Sequence, residues 1–219
     1  MTRKLKAGRF GPKSGKTTSV VVFLHGYGSN GADLLGLAEP MSGALADTLF
    51  VAPDGPEPSR GNPMGFQWFS VPRFDGSSET EMAAGFARSA DDINAFLDEI
   101  LAETGLSADR LALVGFSQGS VMSMQIAPRR AEAIGGVVAF SGRMIAPEKL
   151  AAEAVSKPPV LLVHGDQDPV MPIAEMKAAG DALVGAGIET YAHVERGCAH
   201  SIAQDGFSVA LSFLQDRLG

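Results

Sequence analysis

Short apolar segments alternate along the chain with longer stretches that have helical spacing. Six segments rich in β-branched residues predict strands, at residues 20–24, 49–52, 110–114, 137–140, 159–163 and 190–194. The first of these is apolar at every position, which is typical of a strand that helices cover on both faces. This order predicts βαβ units, and therefore an α/β fold with a mostly parallel central sheet and helices on both faces.

Two stretches have the three- or four-residue spacing of amphipathic helices. Between Thr80 and Thr104, six apolar residues fall on one helical face: Phe86, Ala90, Ile93, Leu97, Ile100 and Leu101. This stretch is expected to cross between parallel strands. Near the C-terminus, Phe207, Leu211 and Leu214 recur at helical spacing, and Asp205 is expected to cap the helix that they form.

Residues 53–78 interrupt the pattern, because Pro and Gly recur too often there for regular elements. The segment is nevertheless rich in aromatic residues, which argues against disorder. It is expected to pack over the rest of the molecule. Trp68, the only tryptophan, is expected either to form a wall of an acyl pocket or to anchor the loop on the core.

Length and composition narrow the class of protein. A chain of 219 residues with 45% hydrophobic content suffices for one sizeable core, so a single domain over residues 1–219 is expected. A net charge of −7 without a basic run argues against nucleic acid and anionic membrane surfaces as partners. The apolar runs are much shorter than the ~18 residues of a membrane span.

Cysteine content and the N-terminal sequence indicate the compartment. The single cysteine, Cys198, excludes an intramolecular disulfide framework and leaves too few thiols for a structural zinc site. The first residues lack the apolar region of a secretory signal. A cytoplasmic location is therefore expected.

A glycine-flanked serine follows the strand predicted at residues 110–114. The run Gly115-Phe116-Ser117-Gln118-Gly119 has the GxSxG pattern, and a stretch with helical character follows it. In a strand–turn–helix setting the serine occupies a sharp turn that exposes its hydroxyl, and the small flanking residues leave room for that turn. A serine that only caps the next helix would give the same local pattern. Ser117 is the candidate nucleophile.

A serine nucleophile needs a base within reach and an acid that orients the base. In enzymes whose nucleophilic serine lies in such a strand–turn–helix, the order along the chain is serine, acid, histidine. This order leaves His193 and His200 as candidate bases. His193 lies inside a predicted strand, whereas His200 lies in the loop after it. Loops at the carboxyl ends of parallel strands are where open α/β sheets place their sites, so His200 is the predicted base.

The acid is expected in the loop that follows the strand at residues 159–163. Asp166 and Asp168 both lie there. Asp166 directly follows a glycine at the strand end, a position typical of a turn residue. Asp168 is further from the strand and better placed to reach the next loop, so it is the predicted acid and Asp166 a structural residue.

Acyl transfer also requires donors for the oxyanion, usually the N–H after the nucleophile and one from an early βα loop. Gln118 supplies the first. The early loop is His25-Gly26-Tyr27-Gly28, and its glycines allow close approach of the backbone, so the N–H of Tyr27 is the second. A phosphate-binding loop is disfavoured, because the segment has neither a P-loop lysine nor GxGxxG spacing.

The chain resembles the phospholipase/carboxylesterase family of α/β hydrolases, which includes acyl-protein thioesterases. The resemblance covers most of residues 20–203 and rests on six motifs in the family's order: VVVFLHGYGSNGADL, FVAPDGPEP, NPMGFQWFSV, LVGFSQGSVM, LLVHGDQDPVMP and GCAHSI. It implies a triad of Ser117, Asp168 and His200, with Tyr27 and Gln118 as oxyanion donors. It also implies hydrolysis of small acyl esters of short to medium chain through an acyl-enzyme, without metal or organic cofactor, often by a homodimer.

Two departures from the family pattern leave the acyl group open. Tyr27 stands where many members have leucine, and the aromatic segment before Thr80 is longer. A lysophospholipase or an acyl-protein thioesterase would use the same triad on a longer chain and would need a long apolar groove. The expected substrate contacts are Trp68, Phe69 and Met171. A non-catalytic binding module with this fold is disfavoured, because every triad position is filled.

Overall fold

Seven strands form the central sheet in the computed structural model, which describes residues 2–219. They are β1 (Ala7–Phe10), β2 (Ser19–Leu24), β3 (Thr48–Pro53), β6 (Leu111–Phe116), β7 (Gly136–Phe140), β8 (Val160–Gly165) and β9 (Thr190–Glu195), while β4 (Glu57–Pro58) and β5 (Phe66–Gln67) pair separately. The order in the central sheet is β1-β3-β2-β6-β7-β8-β9, and within this sheet only the β1–β3 pair is antiparallel. The predicted α/β-hydrolase fold with a mostly parallel sheet is confirmed.

Helices cover both faces of this sheet. They are α1 (Gly31–Leu35), α2 (Ala38–Ser42), α3 (Pro72–Asp75), α4 (Glu79–Thr104), α5 (Gln118–Ile126), α6 (Leu150–Glu153), α7 (Ile173–Gly185) and α8 (Gln204–Leu218). Alternate residues of a strand point to opposite faces. Val20 and Val22 of β2 therefore pack in a core with α4 and α7, whereas Val21 and Phe23 pack in a second core with α1, α2 and α8.

The two predicted helices are present, but the predicted cap of the second is wrong. Helix α4 begins with a capping box in which Ser78 and Glu81 each bond the backbone of the other. Helix α8 begins after Ala203, and Asp205 lies inside its first turn, where Oδ2 is 3.1 Å from His193 Nε2. The buried carboxylate of Glu195 instead accepts the N–H of Ala203 at 2.7 Å.

Residues 53–78 contain more regular structure than their composition predicts. They include the end of β3, the β4–β5 pair and α3, and Phe66 bonds the loop after β2 through Gly28 N–H (2.8 Å) and Ser29 O (2.7 Å). This segment therefore holds the loop that carries Tyr27. Over residues 2–219, no helix combines the length and hydropathy needed to cross a membrane.

Candidate active site

Ser117 lies in the turn between β6 and α5 with φ 53° and ψ −113°, a strained conformation for a residue with a side chain. The turn is held by the hydrogen bond from Ser117 N–H to Phe140 O at 2.9 Å. A Cβ on Gly119 would lie 1.8 Å from Leu24 O, and one on Gly115 would lie 2.5 Å from the Gly119 carbonyl carbon. Gly119 is thus required by the close packing of this turn against β2, and Gly115 by its packing against the first residues of α5.

His200 and Asp168 meet beside this turn, although they come from loops after different strands. His200 Nδ1 donates to Asp168 Oδ2 at 2.6 Å, and Asp168 Oδ1 accepts the N–H groups of Val170 and Met171, each at 2.8 Å. Burial alone would raise the pKa of Asp168, but these hydrogen bonds outweigh it and the pKa is lowered. The carboxylate is therefore charged and fixed towards the histidine ring.

The alternative acid and base lie elsewhere. Asp166 Oδ1 accepts the N–H of Gly197 at 2.7 Å and ties the loop of β8 to the loop that carries His200, without a hydrogen bond to His200 itself. His193 lies in the edge strand β9 and pairs with Asp205. The structure brings together Asp168 and His200, and it leaves Asp166 and His193 in other contacts.

Two cavities meet at Ser117. The first, of about 470 Å³, is also lined by His200, Phe116 and residues of α1, and the second, of about 240 Å³, by Gln118 and Val121 of α5. Tyr27, Phe74 and Val170 line both cavities, together with Ser117. His200 lines only the first cavity and Gln118 only the second. The serine therefore lies between two cavities that are lined by different residues.

The two candidate oxyanion donors lie beside the serine. As the first residue of α5, Gln118 has an N–H without an intrahelical acceptor, and over residues 2–219 the N–H of Tyr27 has no acceptor. The Gln118 side chain bonds Trp68 N–H at 2.8 Å and Phe69 O at 2.7 Å, which fixes the start of the helix. Both N–H groups are therefore available to a substrate oxygen.

The expectation that Trp68 forms a wall of the acyl pocket is wrong. Trp68 is fully buried, lines neither cavity, and donates from Nε1 to His25 O at 2.9 Å. It anchors the loop on the core, because its indole finds a buried acceptor there. Phe69 and Met171 do line the second cavity.

Two histidines that chain order excludes as bases hold the site's loops. His25 Nδ1 donates to Gly26 O at 2.7 Å and Nε2 accepts the Gly55 N–H at 2.8 Å, and burial lowers its pKa. His164 Nε2 donates to Met171 O at 2.7 Å and lies 3.6 Å from Asp168 Oδ2. The signal that could have found them is a histidine followed by glycine at the end of a buried strand. No cluster of three or more potential metal ligands occurs among residues 2–219.

The sequence model of the phospholipase/carboxylesterase family matches residues 10–218 of this chain. The chain belongs to this family. It is 30% identical over 199 residues to the esterase YpfH of Escherichia coli strain K12, an alignment that covers 90% of this chain and 82% of that protein. It is also 30% identical over 210 residues to acyl-protein thioesterase 1 of Saccharomyces cerevisiae, covering 90% and 92% of the two chains.

Solved structures agree with this assignment. The crystal structure of esterase PE8 is 41% identical and superposes with a TM-score of 0.93, covering 99% of this chain and all of that one. A carboxylesterase from Bacillus cereus, 20% identical, has the same fold with a TM-score of 0.76 over 98% of this chain and 95% of its own. This member of the phospholipase/carboxylesterase family is a hydrolase of ester bonds, as the sequence predicted.

Proposed function

We propose that the protein is a serine carboxylesterase in which Ser117 is the nucleophile, His200 the general base and Asp168 the residue that orients it. The observation that carries this proposal is the charge-assisted hydrogen bond of 2.6 Å between His200 and Asp168, at a cavity that the strained Ser117 also lines. Because Nδ1 donates to Asp168, Nε2 is the ring nitrogen that is free to accept a proton.

The reaction follows from this placement. His200 Nε2 takes the proton of the Ser117 hydroxyl as its oxygen attacks the ester carbonyl carbon, and the N–H groups of Tyr27 and Gln118 stabilise the oxyanion. The imidazolium then gives this proton to the departing alcohol as the carbon–oxygen bond breaks, leaving an acyl-enzyme. A water molecule, deprotonated by His200, attacks the acyl-enzyme, and the imidazolium returns the proton to the Ser117 oxygen as the acid departs. Each oxyanion donor is expected to contribute on the order of 10²-fold to kcat.

The second cavity limits the acyl group. Its volume of about 240 Å³ is about half that of the first cavity, which favours a short to medium acyl chain. Phe69, Val71, Met82, Val121 and Met171 give it an apolar wall. Short to medium acyl chains fit this volume, whereas the long chain of a lysophospholipid or a lipidated protein would extend beyond it.

We propose that a single domain over residues 1–219 carries the whole site, since both cores pack on one sheet.

Active-site labelling and a chain-length profile test this function. We expect a fluorophosphonate to label the wild type at Ser117, and we expect Ser117→Ala to remain folded while losing both the label and ester hydrolysis. Ser212→Ala, an exposed serine of α8, serves as the matched control and should retain both. For p-nitrophenyl esters, kcat/KM should peak at or below eight carbons. Turnover in folded Ser117→Ala would overturn the assignment, and a peak at sixteen carbons would favour a lysophospholipase or thioesterase.

A further inference from the structure

The two cavities at Ser117 are not equivalent, because only the first is lined by His200. In the proposed reaction His200 gives a proton to the departing oxygen, so the alcohol must leave on the histidine side of the serine. The acyl chain must then lie on the other side, in the second cavity beside Gln118. The first cavity, of about 470 Å³, is therefore where the alcohol portion of the substrate binds.

Among the residues described, the lining of this first cavity has a negative side chain and no lysine or arginine to balance it. Asp33 is its only carboxylate, and no lysine or arginine is among its lining residues within the part of the chain that is described. The guanidinium of Arg73 lies 4.5 Å from the centre of the Phe74 ring, lines the second cavity and donates to Val170 O. The second cavity also has Arg143 and Glu175. Arg73 and Arg143 thus line the second cavity and not the first, although Arg73 contacts Phe74 and Val170, which line both.

Asp33 is held in place, and aromatic rings complete the cavity. Its Oδ2 accepts the Ser29 hydroxyl at 2.6 Å, and its N–H donates to Asn30 Oδ1 at 3.0 Å. Tyr27, Phe74 and Phe116 supply three aromatic rings to the same lining. A fixed carboxylate together with aromatic rings is the combination that attracts alkylammonium groups, while it repels phosphate and carboxylate.

We propose that the first cavity binds the leaving alcohol and that Asp33 makes it select a cationic alcohol, of the amino-alcohol class, over neutral and anionic ones. This proposal rests on the proposed function. It names Asp33 as a specificity residue that contacts substrate and takes no part in proton transfer. Because the carboxylate is exposed to solvent, the expected preference is modest and decreases with added salt.

An isosteric pair of esters tests this preference. Choline butyrate and 3,3-dimethylbutyl butyrate differ only in a quaternary nitrogen in place of carbon, and acid release in a pH-stat measures kcat/KM for both. The ratio of kcat/KM for the choline ester to kcat/KM for the neutral ester should fall about threefold from wild type to Asp33→Asn. This substitution keeps the acceptor for the Ser29 hydroxyl. Because the same two esters are measured with each enzyme, the difference in their intrinsic reactivity cancels when wild type and variant are compared. High salt should lower the ratio in the wild type and leave it unchanged in Asp33→Asn.

A matched variant and a third ester complete the test. Glu39→Gln removes the same charge from an exposed position on the neighbouring helix α2, outside both cavities, and should leave the ratio at the wild-type value. The butyrate ester of 3-hydroxypropanesulfonate should be a better substrate for Asp33→Asn than for the wild type. An unchanged ratio in Asp33→Asn, or an equal fall in Glu39→Gln, overturns the role of Asp33. Failure of the wild type to hydrolyse p-nitrophenyl butyrate would instead refute the proposed function.

Discussion

Three histidines contact the loops that form the site, and their contacts separate their roles. His25 uses both ring nitrogens in loop hydrogen bonds, and His164 donates to Met171 O beside the Asp168 carboxylate. Of the three, only His200 lines a cavity with the serine. These contacts support His200 as the base and assign the other two to holding the oxyanion loop and the acid loop.

The two aspartates of the β8 loop are expected to differ sharply when each is replaced by asparagine. Asp168→Asn should lower kcat by about 10⁴-fold, because an amide does not hold the histidine in the required tautomer. Asp166→Asn keeps an oxygen for the Gly197 N–H and should change kcat by only a few-fold. Steady-state kinetics on folded proteins, verified by circular dichroism, give the comparison. A larger loss in Asp166→Asn would mean that the wrong aspartate has been assigned.

Burial of His25 predicts a pH dependence of stability. Desolvation lowers the pKa of His25 in the folded state below its unfolded value of about 6.5, so the unfolded chain binds more protons as the pH falls below that value. Stability is therefore lost below about pH 6.5, by up to about 1.4 kcal/mol per pH unit for this one group. Urea unfolding between pH 7.5 and 5.5 should show a shallower decline in His25→Asn. The half-buried His193, changed to asparagine, is the control; equal slopes for wild type and His25→Asn would contradict the assignment.

At the scale of elements, the loop between β9 and α8 carries His200 and is fastened at both ends. Gly197 N–H bonds Asp166, Cys198 O accepts Gln167 N–H at 3.0 Å, and Ala203 N–H bonds the buried Glu195 carboxylate. The Glu195 side chain fills the space at Gly206, where a Cβ would lie 2.1 Å from Oε1. Glu195 thus fixes the first residue of α8 and the end of the loop that carries His200.

Removing the Glu195 carboxylate should therefore disturb the loop that positions His200. Glu195→Ala leaves the Ala203 N–H without its acceptor and is expected to lower the free energy of unfolding by about 1–3 kcal/mol. It should also lower kcat more than it raises KM, because the base is displaced while the cavities remain. Glu195→Gln retains the acceptor oxygen and should recover most of the activity. Asp205→Asn, in the first turn of the same helix, is the control, and an Ala variant with unchanged kcat would contradict this role.

Strands buried on both faces could be predicted from their apolar runs, whereas an edge strand could be predicted only where β-branched residues mark it, as in β9. All six predicted strands are present with ends within two residues. Five of them are buried nearly throughout, and continuous burial gives continuous apolar runs. Strand β1 was missed because its residues Ala7–Phe10 are exposed or half-buried and pair only at the sheet edge. Asp205 was misread as a cap because the actual acceptor, Glu195, lies outside the helix. Trp68 was misplaced because apolar character does not tell core from cavity wall.

For the whole molecule, the site exists because parallel strands end at one edge of the sheet. Tyr27, Ser117, Asp168 and His200 follow β2, β6, β8 and β9, and each lies in the loop at a strand's carboxyl end. Sequence order and strand ends together therefore suffice to nominate these residues. The division of the cleft into two cavities could not be predicted, since it depends on where α3 places Phe74, which lines both. The homodimer and the cytoplasmic location stay predictions.

This division predicts which substitutions change acyl specificity. Met82 of α4 lines the second cavity, so Met82→Ala should enlarge it and shift the kcat/KM profile of p-nitrophenyl esters towards longer chains. Each added methylene that becomes buried contributes about 0.8 kcal/mol, or up to about fourfold. Trp68→Ala should leave the profile unchanged and lower the free energy of unfolding by about 3–5 kcal/mol, because it removes a fully buried indole behind the cavity. Butyrate, hexanoate and octanoate esters, measured with urea unfolding, distinguish the two; a longer optimum in Trp68→Ala with Met82→Ala unchanged would reverse the assignment of the wall.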